Sequence, residues 1–257
     1  MASRGSQRGL SVAIIVRDAA EQIEACLASV AWADEIVVSD SGSRDGTPAI
    51  CRAYGARVFL DDWLGYGAQK NRCVERVAGP WVLSLDSDER VTPALRAEIE
   101  KVLADGTDQD AFAVPRRNYF LGRWVRHGGW SPDYCPRLFR KGRARFSERL
   151  VHEALEVPSG RVRRLQGALE HFTYASISDY LERMDRYAAL GAAQLQAEGR
   201  RARVADLLVR PPLTFLRMLI LRQGWRDGML GVVLAGLYGC ATLVKYARLW
   251  ELGREGG

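Results

Sequence analysis

"EIVVSDSGSRDGTPAICRAYG", residues 35–55, runs from an aliphatic stretch through a loop of small and acidic residues into a helical pattern. The stretch 35–39 reads as a strand, and its unbroken aliphatic run is what burial on both faces of a sheet requires. The helix that follows carries its own punctuation, with Thr47 expected as N-cap, Pro48 at the first helical position and Gly55 as terminator. Asp40 is then left at the carboxyl tip of the strand, where open α/β sheets receive their ligands. Its other reading is a turn cap, since Asp-Ser-Gly-Ser suits a tight turn. Asp45 is expected to cap the helix or to pair with Arg44.

The same alternation extends in both directions. Upstream, "LSVAIIV" (10–16) is a continuous apolar strand, and Ile23, Cys26, Leu27 and Val30 follow at helical spacing. Downstream come "ARVFL" (56–60), a helix ending near Ala78, the strand "WVLSL" (81–85), a Thr-Pro-initiated helix over 92–103 and the strand "AFAV" (111–114). Strand and helix in strict turn predict an α/β fold with a mostly parallel sheet flanked by helices. From about residue 116 the period is lost in a stretch rich in arginine, aromatic residues and glycine, read as loops over a cleft plus short strands. An amphipathic helix over 178–195 is expected to bury Leu181, Met184, Ala188 and Leu195.

The bulk numbers are those of a folded protein, with 257 residues, 47% hydrophobic and 26% charged. A net charge of +6 favours phosphates or an anionic surface as partners. Five scattered cysteines with no CxxC pair argue against a disulfide framework or a thiolate zinc site. The first ten residues hold no apolar core of signal-peptide length, which gives a cytoplasmic location as the expectation.

The last fifty residues differ in kind. Between Gly199 and Arg226 seven arginines (200, 201, 203, 210, 217, 222 and 226) stand against one acid, Asp206, interleaved with aliphatic residues. The run 229–244 is apolar for 16 residues, short of the ~20 that a bilayer span needs. A soluble core helix would account for the run alone. Together with the arginines it predicts an amphipathic C-terminal region lying on a membrane. Basic residues set among aliphatic rather than aromatic neighbours argue against nucleic acid as partner.

"SLDSDER" (84–90) ends a strand in two carboxylates, Asp86 and Asp88. On an extended segment residues i and i+2 face the same way. The pair is therefore read either as solvated turn residues or as a ligand set of hard oxygens for Mg²⁺ or Mn²⁺ carrying a diphosphate. A phosphotransferase built on the same D-x-D would want Thr or Val two residues after the second Asp, where this chain has Arg90.

With "LSVAIIVRDAAEQIEACLASV", "DEIVVSDSGSRDGT", "AQKN" and "WVLSLDSDE" in this order, the chain resembles the inverting nucleotide-sugar glycosyltransferases of family 2, which have the GT-A (Rossmann-like) fold. "RRNYFLGRWVRHGGW", "PRLF" and "LVHEAL" make it most similar to the β-glucosyltransferases of the bacterial lipopolysaccharide inner core. The resemblance implies a UDP-sugar donor, a glycolipid acceptor and a peripheral place on the inner face of the plasma membrane. It also implies a nucleotide-sugar-binding half over 9–115, acceptor-side loops and strands over 116–172, and a helical membrane-contacting region over 173–257. By the same resemblance Asp40 binds the uracil or ribose, Lys70 lies beside the base, Asp86 holds the ribose or the metal, and Asp88 coordinates the metal. Asp18 stands where the family has Asn-Glu, and Ala19 leaves the glutamate's role unfilled.

Inverting transfer needs a base for the acceptor hydroxyl and positive charge for the leaving diphosphate. Glu153 is the expected base, with His152 aiding the metal; Asp133 is the alternative base. Arg137 is expected to clamp the diphosphate, and Trp130 either stacks on a sugar or packs a lid. His127 and His171 have no acidic partner that the spacing identifies and are read as structural. Two other functions remain open at this level: transfer to a polyprenyl phosphate, and a non-catalytic membrane adaptor that keeps the nucleotide fold.

Overall fold

Alternate side chains of the first strand enter two different cores, and this organises the first half of the molecule. A computed structural model of the chain describes residues 9–147 and 154–255. It divides into two units, one formed by residues up to 116 together with 133–171, the other by 117–132 together with 172–257.

The first unit opens with β1 (Leu10–Val16), α1 (Ala20–Val30), β2 (Glu35–Asp40), α2 (Thr47–Ala53), β3 (Arg57–Leu60), α3 (Tyr66–Arg76) and β4 (Trp81–Asp86). The four strands are parallel in the order β3-β2-β1-β4. Leu10, Val12, Ile14 and Val16 join Ile36, Val38, Leu83 and Leu85 in a core with α1, while Ala13, Val37 and Val82 meet Cys73 of α3 on the opposite face. Period-two side-chain alternation with helices on both faces explains why these strands read as unbroken apolar runs.

Then come β5 (Glu89–Val91), α4 (Pro93–Asp105), β6 (Ala111–Phe120), β7 (Arg123–Trp124) and β8 (Asp133–Arg140), with β7 antiparallel to β6 and β8 antiparallel to both β4 and β6. The segment 116–172, expected as one acceptor-side stretch, is thus divided: residues 133–171 belong with the sheet and 117–132 with the second unit. Thr92 caps α4 through its hydroxyl, with Pro93 next, as the sequence predicts. Thr47 is not a cap. It is the first residue of α2, buried, and its hydroxyl accepts from the Ala19 amide at 2.8 Å, tying the start of α1 to the loop after β2.

Short strands β9 (Arg145–Phe146), β10 (Leu155–Glu156), β11 (Val162–Arg164) and β12 (Leu169–Tyr174) complete the sheet region. Asp61, just past β3, receives both Nη atoms of Arg76 at 2.5 and 2.6 Å and the Ser39 hydroxyl at 2.6 Å. These bonds clip α3 to the ends of β2 and β3. Asp61→Ala would strand these partners, and a loss of about 3 kcal/mol in unfolding free energy is expected by urea titration.

The second unit holds α5 (Ile177–Ala197), α6 (Val204–Leu208), α7 (Arg210–Leu216) and α8 (Met229–Glu255), with α5 and α7 packed on α8. Its core gathers Phe120, Trp130, Tyr180, Met218, Leu230 and Leu234. On α5 the buried residues are Tyr180, Ala188 and Ala192, whereas Leu181, expected inside, is exposed. Ala188 is buried and Met184 and Leu195 pack against buried clusters as expected, while Tyr180 takes the core place beside Phe120 and Tyr174 instead of Leu181. The apolar run 229–244 is the start of a helix that continues to Glu255, and residues 229–254 are long and apolar enough to cross a bilayer by length and composition.

Candidate active site

The register of the parallel strands builds the site. Val16 lies opposite Asp40 and Ile15 opposite Asp86, so the two acids flank the carboxyl end of β1 one residue apart in register. This is where the strand order turns back, with β2 and β3 on one side of β1 and β4 on the other, the usual position of a ligand crevice in such sheets.

Asp40 is fully buried. Its Oδ1 accepts from the amides of Gly42 and Ser43 at 2.8 and 2.7 Å, so the turn-cap reading is realised. Its Oδ2 is equally buried and has no hydrogen-bond partner among the described residues. One oxygen of this carboxylate holds the loop; the other makes no hydrogen bond to the described residues. Asp18, in left-handed backbone at φ 47°, is exposed and accepts the Arg44 amide at 2.7 Å while its own amide donates to Ser43. Asp45 accepts from Thr47 and from the Ala20 amide. Asp18 and Asp45 therefore shape the 41–47 loop from two sides.

Asp86 and Asp88 do not lie on one extended segment. Residues 87–88 form a turn between β4 and β5, closed by the Asp86 amide donating to Glu89 Oε2 at 3.0 Å. The two carboxylates consequently have different partners. Asp86 Oδ1 meets Lys70 Nζ at 2.9 Å and its Oδ2 meets Arg137 Nη2 at 2.5 Å. Burial would raise the Asp86 pKa, but the charges and hydrogen bonds of Arg137 and Lys70 outweigh it and hold this carboxyl well below the usual range. Asp88 Oδ2 faces His171 Nε2 at 3.5 Å, while its Oδ1 is buried without a partner among the described residues. Burial opposes the charged form of His171, yet the hydrogen bond and charge of Asp88 raise its pKa.

Arg137, expected as a diphosphate clamp, is enclosed instead. Only 6% of its side chain is exposed, and Nη2 bridges Asp86 and Glu89, each at 2.5 Å. Glu89 is fully buried and also faces Arg116 at 3.5 Å; Arg116 in turn holds Asp133 at 2.8 Å. Lys70, Arg116 and Arg137 thus stand against Asp86, Glu89 and Asp133, three cations matched to three anions. Asp133, the alternative base, is an ion-pair partner in this set.

Trp130 belongs to the core of the second unit. It is 8% exposed and packs edge-on against Phe120, with Tyr174 and Tyr238 beside it, so its ring is occupied by protein. His127 of the same unit has an acidic partner that sequence spacing did not identify, Asp227, at 2.9 Å and 100 residues away. His171 likewise found one in Asp88. His152 and Glu153 lie outside the described residues.

Sequence reasoning missed Glu89, Arg116 and His171. For Glu89 a signal existed: in "DERV" it shares the inward phase of Val91, which is buried with it. His171 reaches Asp88 only because β12 pairs with β5 antiparallel, with His171 opposite Glu89, a long-range pairing that local pattern does not encode.

The family model for glycosyl transferase family 2 matches residues 11–167. The chain is 32% identical over 254 residues to the lipopolysaccharide core biosynthesis glycosyltransferase LpsC of Rhizobium meliloti (strain 1021), covering 94% of this chain and 92% of that protein. It is 26% identical over 257 residues to an uncharacterized glycosyltransferase of Rickettsia bellii (strain RML369-C), covering 96% and 87%. Among solved structures, residues 1–349 of S. aureus TarS overlay with a TM-score of 0.49 at 17% identity, covering 97% of this chain and 92% of that one. With the family model spanning more than half of its length and LpsC aligned along nearly all of it, this chain belongs to glycosyl transferase family 2.

Proposed function

We propose that the protein transfers a sugar, glucose first among candidates, from a UDP-sugar to a lipopolysaccharide-core glycolipid, inverting the anomeric centre and using Mg²⁺ or Mn²⁺. One observation carries the reading: Asp40 Oδ2 and Asp88 Oδ1 are buried carboxylate oxygens with no partner among the described residues, at the ligand-receiving end of the sheet. Leaving such an acceptor unsatisfied costs on the order of 1–3 kcal/mol, so both await something that donates to them or coordinates them. The similarity to LpsC along the chain supports a lipopolysaccharide-core acceptor.

The charge balance supports a dication. Lys70 and Arg137 are already neutralised by Asp86 and Glu89, so an incoming diphosphate finds no uncommitted positive charge in this set. Among the described residues no three His, Cys, Asp or Glu side chains gather into a cage. Magnesium sites commonly use one or two carboxylates and complete the shell with water and substrate phosphate. Asp88 fits that role through Oδ1, with His171 at its other oxygen. Asp86, saturated by two cations, serves better as the anchor that fixes Lys70 beside the nucleotide. When bound, the ion would offset charge on the departing diphosphate. Asp40 Oδ2 would accept from the uracil or ribose. Glu153 would take the acceptor proton, with His152 beside it.

The membrane reading rests on the second unit, where Val204, Leu208, Leu221, Trp225 and Met229 are each more than 60% exposed among the arginines. Such a surface suits a peripheral position on the cytoplasmic leaflet. A UDP-release assay across a panel of UDP-sugars, with and without core glycolipid and with Mg²⁺, Mn²⁺ or chelator, tests the catalytic reading. Release is expected with one donor, only with glycolipid present, and abolished by chelator. Release unaffected by chelator would overturn the metal role, and none with any donor would overturn the donor class.

A further inference from the structure

Two adjoining recesses of the second unit differ sharply in chemistry. The larger, about 620 Å³, runs between α7, the turn after it and α8. Leu213, Leu216, Ile220 and Leu221 give it apolar walls, with Arg217 and Lys245 on its lining and no acidic residue there. Leu213, Ile220 and Leu221 are all more than half exposed, so this is open apolar surface, not core. The smaller, about 500 Å³, is lined by Arg200, Arg201, Arg203 and Arg210 with one acid, Asp206. Asp206 is held by Arg210, whose Nε lies 2.5 Å from Oδ1, and by the Arg203 amide at 2.9 Å. Four guanidinium groups against one carboxylate leave three in excess. Arg210 and Tyr246 line both recesses, making them one continuous feature with a cationic end and an apolar end.

We propose that this feature binds a single anionic phospholipid of the bilayer, its phosphate among Arg200, Arg201, Arg203 and Arg210 and an acyl chain along the groove of α7 and α8. Charge complementarity names the occupant. Guanidinium groups grip phosphate oxygens in a bidentate manner, and the groove beside them has the volume and apolar walls of a small-molecule site. A free phosphate would satisfy only the cationic end. A protein partner would have to match an acid-free apolar cleft with an anion at one end only. The inference rests on the reading that this unit meets a membrane and makes it specific: the chain recognises the lipid it sits on, which holds the enzyme where a lipid-anchored acceptor is presented.

The test uses the full chain and flotation with vesicles of phosphatidylcholine alone or with about a third phosphatidylglycerol, since each basic residue adds roughly 1 kcal/mol near an anionic surface. Wild type is expected to float with the anionic vesicles and to do so poorly with the neutral ones. The triple variant Arg200→Ser/Arg201→Ser/Arg203→Ser should lose on the order of a hundredfold in partitioning. UDP binding, which uses none of these residues, should be unchanged. Ile220→Ser/Leu221→Ser should weaken capture of soluble dihexanoyl-phosphatidylglycerol while inorganic phosphate competes poorly. If wild type floats with neither vesicle, the membrane reading fails and this proposal with it. If wild type floats and the triple variant floats equally well, the pocket assignment alone is wrong. Full competition by inorganic phosphate would reduce it to an anion site.

Discussion

Asp88→Asn is expected to lower sugar-transfer turnover by about a thousandfold, a loss typical of removing one electrostatic contact to a developing charge. The substitution is nearly isosteric. Its amide keeps one oxygen, yet removes the charge that faces His171 and the buried Oδ1 that would coordinate the cation. The thermal midpoint should move little, because this side chain carries few of the bonds that close the turn; that closure belongs to the Asp86 amide and Glu89. UDP titration separates the alternatives: affinity should fall in the presence of Mg²⁺ or Mn²⁺ and stay the same with chelator. A variant that retains most of its turnover would remove Asp88 from the chemistry.

Arg137→Met acts on stability, by an expected 3–5 kcal/mol, the usual cost of removing one partner of a buried ion pair. It deprives Asp86 of one of two cations and leaves Glu89 with Arg116 alone at 3.5 Å. The pH dependence follows with a definite sign. In the wild type, the depressed Asp86 pKa contributes stability that is present above the unfolded value of about 3.9 and is lost as pH falls through the lower folded value. In the variant, Asp86 keeps Lys70 as its one cation of the two, so its folded pKa is less depressed and the deficit shrinks as pH falls below that value. Urea unfolding near neutrality and near pH 3 should show the gap between the two proteins narrowing at the lower pH. A constant gap would mean that Arg137 contributes packing and no charge.

How far the sequence could be read follows its physical range. β1 was legible to the residue because strands covered on both faces leave a run that is apolar at six of its seven positions, and little else explains it. Thr92-Pro93 was legible because a cap and its helix are neighbours in the chain. Thr47-Pro48 has the same pattern and a different outcome, since the Thr47 hydroxyl is taken by an amide 28 residues away. The same limit governs the site. Asp40 could be placed by the strand it ends, whereas Asp86 and Asp88 were expected to converge because a turn of two residues between β4 and β5 leaves no periodicity. The enclosure of Arg137 depends on β8 lying antiparallel to β4, a pairing between segments some fifty residues apart, and the packing of Trp130 depends on α5 and α8.

The two stranded carboxylate oxygens bear on how long the protein survives in a cell. Holding them away from water weakens the empty form, and whatever satisfies them strengthens it by mass action. Protease attack on transiently opened chains follows the population of those openings. Under the proposed function, with an activated sugar as what satisfies them, the lifetime of this enzyme would lengthen when that sugar is plentiful and shorten in starvation.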